Sequence, residues 1–192
     1  MTGTTPPSSW NAPNVVTVVR IALVPVFAAA MLADGATSTG WRLVATAVFV
    51  LAAVTDRLDG YLARRLDRIT DLGKLLDPIA DKLLMGTALV ILSALGELPW
   101  WVTVVILVRE LGITVMRLLV LRYVVLPASR GGKIKTVLQS VAIGLYLLPL
   151  GSLPSAVSFV AAVTMGLAVA ATVVTGVEYV LRVVQIRRAA RT

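Results

Sequence analysis

The sequence predicts an all-α integral membrane protein with six transmembrane helices and both termini cytoplasmic. Three observations lead there. The 192 residues are 58% hydrophobic and only 15% charged, and a mean hydropathy of +0.90 is too apolar for a soluble domain of this length. Apolar stretches of about 20 residues, the length that spans a bilayer, alternate with short turns. Basic residues collect in every second connection, as expected when Lys and Arg stay on the cytoplasmic side.

The segments follow in order. Residues 1–12 (MTGTTPPSSWNA) form a flexible tail rich in Thr, Pro and Ser, with Trp10 suited to the membrane interface. Without a basic start they do not read as a cleaved signal peptide. Apolar segments are expected over Asn14–Leu32, Gly40–Ala63, Asp77–Leu95, Pro99–Tyr123, Lys133–Leu150 and Pro154–Val184. Asp34-Gly35, Gly96-Glu97-Leu98-Pro99 and Gly151-Ser152-Leu153-Pro154 supply turn chemistry between them. One six-helix domain over 13–186 results, followed by a basic tail at 187–192. The connections on one side hold Asp34 and Glu97. Those on the other hold Arg64, Arg65, Arg68 and Lys74, then Arg122, Arg130, Lys133 and Lys135. This asymmetry gives a multi-pass protein of the cell membrane.

Composition also excludes chemistry. With no Cys and no His, disulfides, thiolate nucleophiles, Cys/His zinc sites and Ser-His-Asp catalysis are ruled out. A bound metal must take oxygen ligands, which points to Mg²⁺, Mn²⁺ or Ca²⁺. The net charge of +8 is the ordinary signature of cytoplasmic loops beside anionic membrane lipids. No basic patch is interleaved with aromatics for stacking bases, so no nucleic-acid partner is expected.

Against that apolar background, Thr55–Lys82 (TDRLDGYLARRLDRITDLGKLLDPIADK) carries six of the ten acidic residues. A carboxylate at the centre of a membrane span costs about 2.5–3.5 kcal/mol, so four uncompensated ones cost roughly 10–14 kcal/mol. On a wheel advancing about 100° per residue, Asp59 falls near −60° from Asp56, Gly60 near +40°, Ala63 near −20° and Arg64 near +80°. On the next helix Gly73, Asp77 and Asp81 recur at intervals of four, again on one face. A short loop pairs the helices and gathers the four carboxylates at the cytoplasmic face, where they repel and partly protonate unless cations bind. Asp67 and Asp71, in the loop, read instead as solvated residues paired with nearby Arg and Lys. Two divalent ions bridged by carboxylates are one solution to displacement at phosphorus, and Arg64 adds a forked donor for phosphate.

The pattern Asp56-x2-Asp59-Gly60-x2-Ala63-Arg64-x8-Gly73-x3-Asp77-x3-Asp81 is similar, in every specified position and gap, to the signature of the CDP-alcohol phosphotransferases. The resemblance implies a site for two ions, Mg²⁺ or Mn²⁺, held by Asp56, Asp59, Asp77 and Asp81, with Asp56 and Asp77 shared between them. It implies that Asp81 is also the catalytic base for the incoming hydroxyl. Asn14, Gly60, Arg64, Thr70 and Gly73 are the implied CDP-lipid residues. The reaction implied is attack of an alcohol on the β-phosphorus of a CDP-lipid, expelling CMP. Relatives are homodimers, and the resemblance carries that expectation over.

The acceptor alcohol is read from polar residues outside the signature. Arg20 lies near one flank of the first segment with Asn14 and Thr17. Arg109, Glu110 and Arg117 interrupt the fourth segment, and Lys133 and Lys135 open the fifth. Arg20, Arg109, Arg117, Lys133 and Lys135 form a candidate pocket for an anionic acceptor such as a phosphomonoester. An internal Arg109–Glu110 ion pair and membrane anchoring by the lysines are the plainer alternatives. The stretches 13–20, 55–65, 73–84, 108–117 and 132–139 resemble the bacterial phosphatidylglycerophosphate synthase branch. That branch implies transfer from CDP-diacylglycerol to glycerol-3-phosphate. Cardiolipin synthases and phosphatidylinositol-phosphate synthases share the core and are the nearest competitors. A divalent-cation transporter fits less well, because the carboxylates cluster at one face rather than near the midplane, and Arg64 beside them repels a permeating cation.

Overall fold

A computed structural model describes the backbone of residues 12–66, 71–120 and 130–189, and the side chains of most but not all of them. The described residues form six α-helices and no strand: α1 (Ala12–Leu32), α2 (Thr39–Leu66), α3 (Asp71–Ala94), α4 (Trp100–Val120), α5 (Arg130–Leu147) and α6 (Ser155–Ala189). Two short 3₁₀ turns, Ala33–Ala36 and Leu150–Ser152, follow α1 and α5. Thr17–Ala36 and Ser155–Gln185 are long and apolar enough to cross a membrane. Trp10 and Thr70 lie outside the described residues.

Hydropathy misplaces three boundaries. Polar turns with good helix formers continue the helices beyond the apolar stretches, since helix propensity does not depend on hydropathy. α3 therefore starts at Asp71, placing Asp71 at a helix N-terminus rather than mid-loop. α2 continues to Leu66, and α6 runs to Ala189, so Arg187 and Arg188 belong to the helix.

The chain divides into two compact units, residues 1–91 with 147–149 and residues 92–146 with 150–192. In the first, α1 packs along α2. Fully buried Ala45 and Ala52 flank Phe49 at helical spacing, and small residues there let the helices approach closely. Phe49 meets Phe27 of α1 with ring centroids 6.0 Å apart and planes inclined at 49°, within the favourable range for aromatic pairs. Leu147, at the end of α5, has a carbonyl that no further helical turn can satisfy. Arg42 Nε and Thr46 Oγ1 of α2 donate to it at 3.2 and 2.9 Å. The arginine's charge suits the negative end of a helix.

The α1–α2 connection turns through three successive left-handed residues, Asp34 (φ 50°), Gly35 (φ 65°) and Ala36 (φ 65°). Thr37 closes the turn by donating its hydroxyl to the Asp34 carbonyl at 2.7 Å. Asp and Gly tolerate this conformation, whereas an alanine there carries about 1–2 kcal/mol of strain. Ala36→Gly relieves the strain while adding entropy to the unfolded chain. It is expected to stabilise the protein by about 0.5–1 kcal/mol. Thermal unfolding in detergent checks this, and a lowered Tm would rule out the left-handed Ala36.

In the second unit, α3 ends in a Schellman turn. Gly96 (φ 75°) donates to Ser93 O at 3.1 Å and Glu97 to Leu92 O at 3.0 Å. This pairing uses glycine's freedom at positive φ to satisfy the last carbonyls. Ser93 and Thr103 then join α3 to α4 through a buried hydroxyl pair at 2.7 Å. The packed stripe of α6 runs Ala161, Met165, Ala168, Thr172, Thr175, becoming polar toward its C-terminal half. The faces left open are apolar: Val104, Val108, Leu111 and Val115 on α4, and Phe159, Val163, Leu167 and Val174 on α6. Lys135 is 2% exposed while Phe159 is 70% exposed, the reverse of the order that water imposes.

Candidate active site

The signature falls on two helices of the first unit. Asp56, Asp59, Gly60 and Arg64 belong to α2, which is helical without interruption to Leu66. Gly73, Asp77 and Asp81 belong to α3, helical from Asp71 onward. Continuous helix gives the wheel positions physical meaning. Asp56 and Asp59 are separated by about 4.5 Å along the axis of α2, and Asp77 and Asp81 by about 6 Å along α3. The side chains of these residues, and of Asn14, lie outside the described ones. The donor set fits hard divalent cations: four carboxylates supply oxygen alone, with neither His nor Cys in the chain to favour a softer metal.

The candidate acceptor residues fall in both units. Arg20 is buried on α1 at 3% exposure, one turn from equally buried Thr17. It belongs to the first unit. Arg117 lies two turns beyond Arg109 on α4, with its side chain outside the description. Lys133 is exposed, whereas Lys135, two residues on and so on another face of α5, is buried.

Arg109 and Lys135 come together. Both engage Oε1 of Glu110: Arg109 through Nη1 at 3.0 Å, and Lys135 through a close ion pair. Two cations on one carboxylate leave this trio with a surplus positive charge. The Arg109 and Glu110 side chains keep 17% and 21% of their exposure. The internal ion pair weighed for Arg109 is therefore present, and it includes Lys135.

Three contributors were not apparent from the sequence. Thr175 of α6 accepts a hydrogen bond from Arg109 Nη2 at 2.9 Å. One turn earlier, Thr172 accepts from Gln139 Nε2 of α5 at 3.2 Å. Gln139 follows Lys135 by one helical turn, and both are buried. That i, i+4 polar pair was the available signal. The α6 hydroxyls carried none, because threonine is common in apolar helices, where it bonds the preceding turn.

Comparison with known proteins gives a consistent result. The family model for CDP-alcohol phosphatidyltransferase matches residues 10–175. A "Probable phosphatidylglycerophosphate synthase" of Mycobacterium tuberculosis is 53% identical over 172 residues, covering 90% of this chain and 81% of the relative. A Bacillus subtilis protein named "CDP-diacylglycerol--glycerol-3-phosphate 3-phosphatidyltransferase" is 41% identical over 182 residues, covering 88% of this chain and 93% of its own. A Rickettsia felis protein of the same name is 35% identical over 173 residues, with coverages of 88% and 93%.

Proposed function

Because the chain belongs to the CDP-alcohol phosphatidyltransferase family, we propose that it transfers a phosphatidyl group from CDP-diacylglycerol to glycerol-3-phosphate. The products are phosphatidylglycerophosphate and CMP. The observation that carries the reading is the complete aspartate signature on uninterrupted α2 and α3, in a chain so closely similar to relatives of that name.

Asp56, Asp59, Asp77 and Asp81 would hold two divalent ions, Mg²⁺ or Mn²⁺, which when bound neutralise charge on the phosphate oxygens. The chain's own residues do the rest. Gly60 and Gly73 let the nucleotide approach the helix backbone. Arg64 donates to phosphate, while Asn14 and Thr70 complete the CDP-lipid set. Asp81 accepts the proton of the acceptor hydroxyl as its oxygen bonds to the β-phosphorus. The bond from that phosphorus to the bridging oxygen breaks, and the electron pair leaves with CMP. Positioning and proton acceptance are the main demands of such a displacement. Arg20, Arg109, Arg117, Lys133 and Lys135 receive the anionic acceptor. The meeting of two cations, Arg109 and Lys135, supports an anionic rather than a neutral alcohol.

The apolar outward faces of the helices support a chain that crosses the membrane six times. Loop charge supports both termini and the aspartates lying on the cytoplasmic side. A homodimer in the membrane completes the proposal.

The test is CMP release by purified protein given CDP-diacylglycerol and Mg²⁺ or Mn²⁺. Glycerol-3-phosphate, inositol phosphate or phosphatidylglycerol is offered as acceptor. Release is expected with glycerol-3-phosphate, whereas release with phosphatidylglycerol alone would reassign the chain to cardiolipin synthesis. Arg117→Ala is expected to raise the KM for glycerol-3-phosphate about tenfold, as a charged hydrogen bond is lost. An effect confined to the KM for CDP-diacylglycerol would remove Arg117 from the acceptor set.

A further inference from the structure

We propose that Thr175 of α6 is a positioning residue for Arg109, so that α6 sets how the guanidinium meets the anionic acceptor. The inference rests on the acceptor role given to Arg109 above.

A threonine hydroxyl has one proton to give and lone pairs to accept with. The proton of Thr175 is directed to Ala171 O, one turn back on the same helix, at 2.7 Å. Its oxygen is thereby left as an acceptor, and Arg109 Nη2 donates to it at 2.9 Å. Bonds in such a chain polarise one another, so the committed proton makes the oxygen a better partner for a cation.

The surroundings leave Thr175 and Arg109 little freedom. A Cβ added at Gly176 would lie 3.1 Å from Arg109 Cγ, so the arginine stem runs against bare α6 backbone. A Cβ added at Gly131 of α5 would lie 3.2 Å from Thr175 Cγ2, so the methyl group also packs at close range. The guanidinium is tethered at both ends, by Thr175 at Nη2 and by Glu110 at Nη1. Each of those terminal nitrogens carries two protons. Those contacts account for one proton on each, and forked N–H donation is how a guanidinium takes phosphate. Without Thr175 the guanidinium keeps its charge but loses one of its two tethers.

The test compares steady-state kinetics of Thr175→Val with the wild-type protein. Thr175→Ala stands in if the valine protein does not fold. The KM for glycerol-3-phosphate is expected to rise about tenfold, while kcat and the KM for CDP-diacylglycerol stay within about twofold of wild type. Thr175→Ser, which keeps the hydroxyl, is expected to restore the acceptor KM. In an Arg109→Ala background, Thr175→Val is expected to add nothing, as for two residues acting through one contact. Equal rises in both KM values, failure of the serine to rescue, or an undiminished effect in the Arg109→Ala background each overturn the inference. A wild-type protein that releases CMP normally alongside an unchanged Thr175→Val variant overturns this inference alone. A wild-type protein that never releases CMP with glycerol-3-phosphate overturns the proposed function, and this inference with it.

Discussion

Asp81→Asn is expected to lower kcat for CMP release by about 10²–10⁴-fold, the usual contribution of a general base. Asparagine matches aspartate in shape and keeps an oxygen for a cation, but it does not take up a proton at neutral pH. Divalent-ion and CDP-diacylglycerol binding are therefore expected to persist in part while turnover is lost. The substitution lies within α3, whose register is fixed by an unbroken helix from Asp71 to Ala94, so helix formation does not depend on it. Calorimetric titration of Mn²⁺ and of CDP-diacylglycerol, run beside the kinetics, separates the two effects. An unchanged kcat would remove Asp81 as the proton acceptor, and complete loss of Mn²⁺ binding would make it chiefly a ligand.

Glu110→Leu carries the largest expected effect on stability. Glu110 is the shared counter-ion of Arg109 and Lys135, and Lys135 is almost fully buried. Removing the carboxylate takes from both cations the partner they share, in a poorly solvated setting. Breaking a buried pair from one side costs about 3–5 kcal/mol. Removing Lys135 as well, in Glu110→Leu/Lys135→Met, takes away one of the two cations and is expected to recover part of the loss. That non-additivity marks a direct interaction. Thermal unfolding in detergent measures both variants. A Glu110→Leu protein as stable as wild type would mean that the carboxylate is not the partner of these cations.

The helices were legible in the sequence wherever their limits were marked by turn chemistry. Asp34-Gly35 and Gly96 both occupy left-handed turns, and Pro154 immediately precedes α6. Hydropathy failed where a helix outlasts its apolar stretch, as at Asp71 and again at Arg187 and Arg188. The placement of the aspartates on two helices was legible because their spacing follows the helical period. The Arg109 ion pair was legible as an alternative, since Glu110 adjoins it in sequence. That Lys135 shares the same carboxylate was not, because no local pattern joins residues 25 apart in the chain. Thr175 escaped for a related reason. Its role comes from a partner 66 residues away, and its composition is unremarkable in a membrane helix.

The bonds from α2 to the Leu147 carbonyl bear on how the protein is made. Arg42 and Leu147 are 105 residues apart in the chain, yet they belong to the same compact unit. At about 5–20 residues per second, a ribosome needs roughly 5–20 s to add that much chain. From Leu66 onward α1 and α2 are already synthesised, while the bonds from Arg42 and Thr46 to Leu147 await their acceptor. The first unit therefore cannot finish folding in the order in which it is translated. Its last polar contacts form only after α3, α4 and α5 have emerged. A chain arrested before Leu147 would lack this carbonyl, so the bonds that tie the end of α5 to α2 could not form.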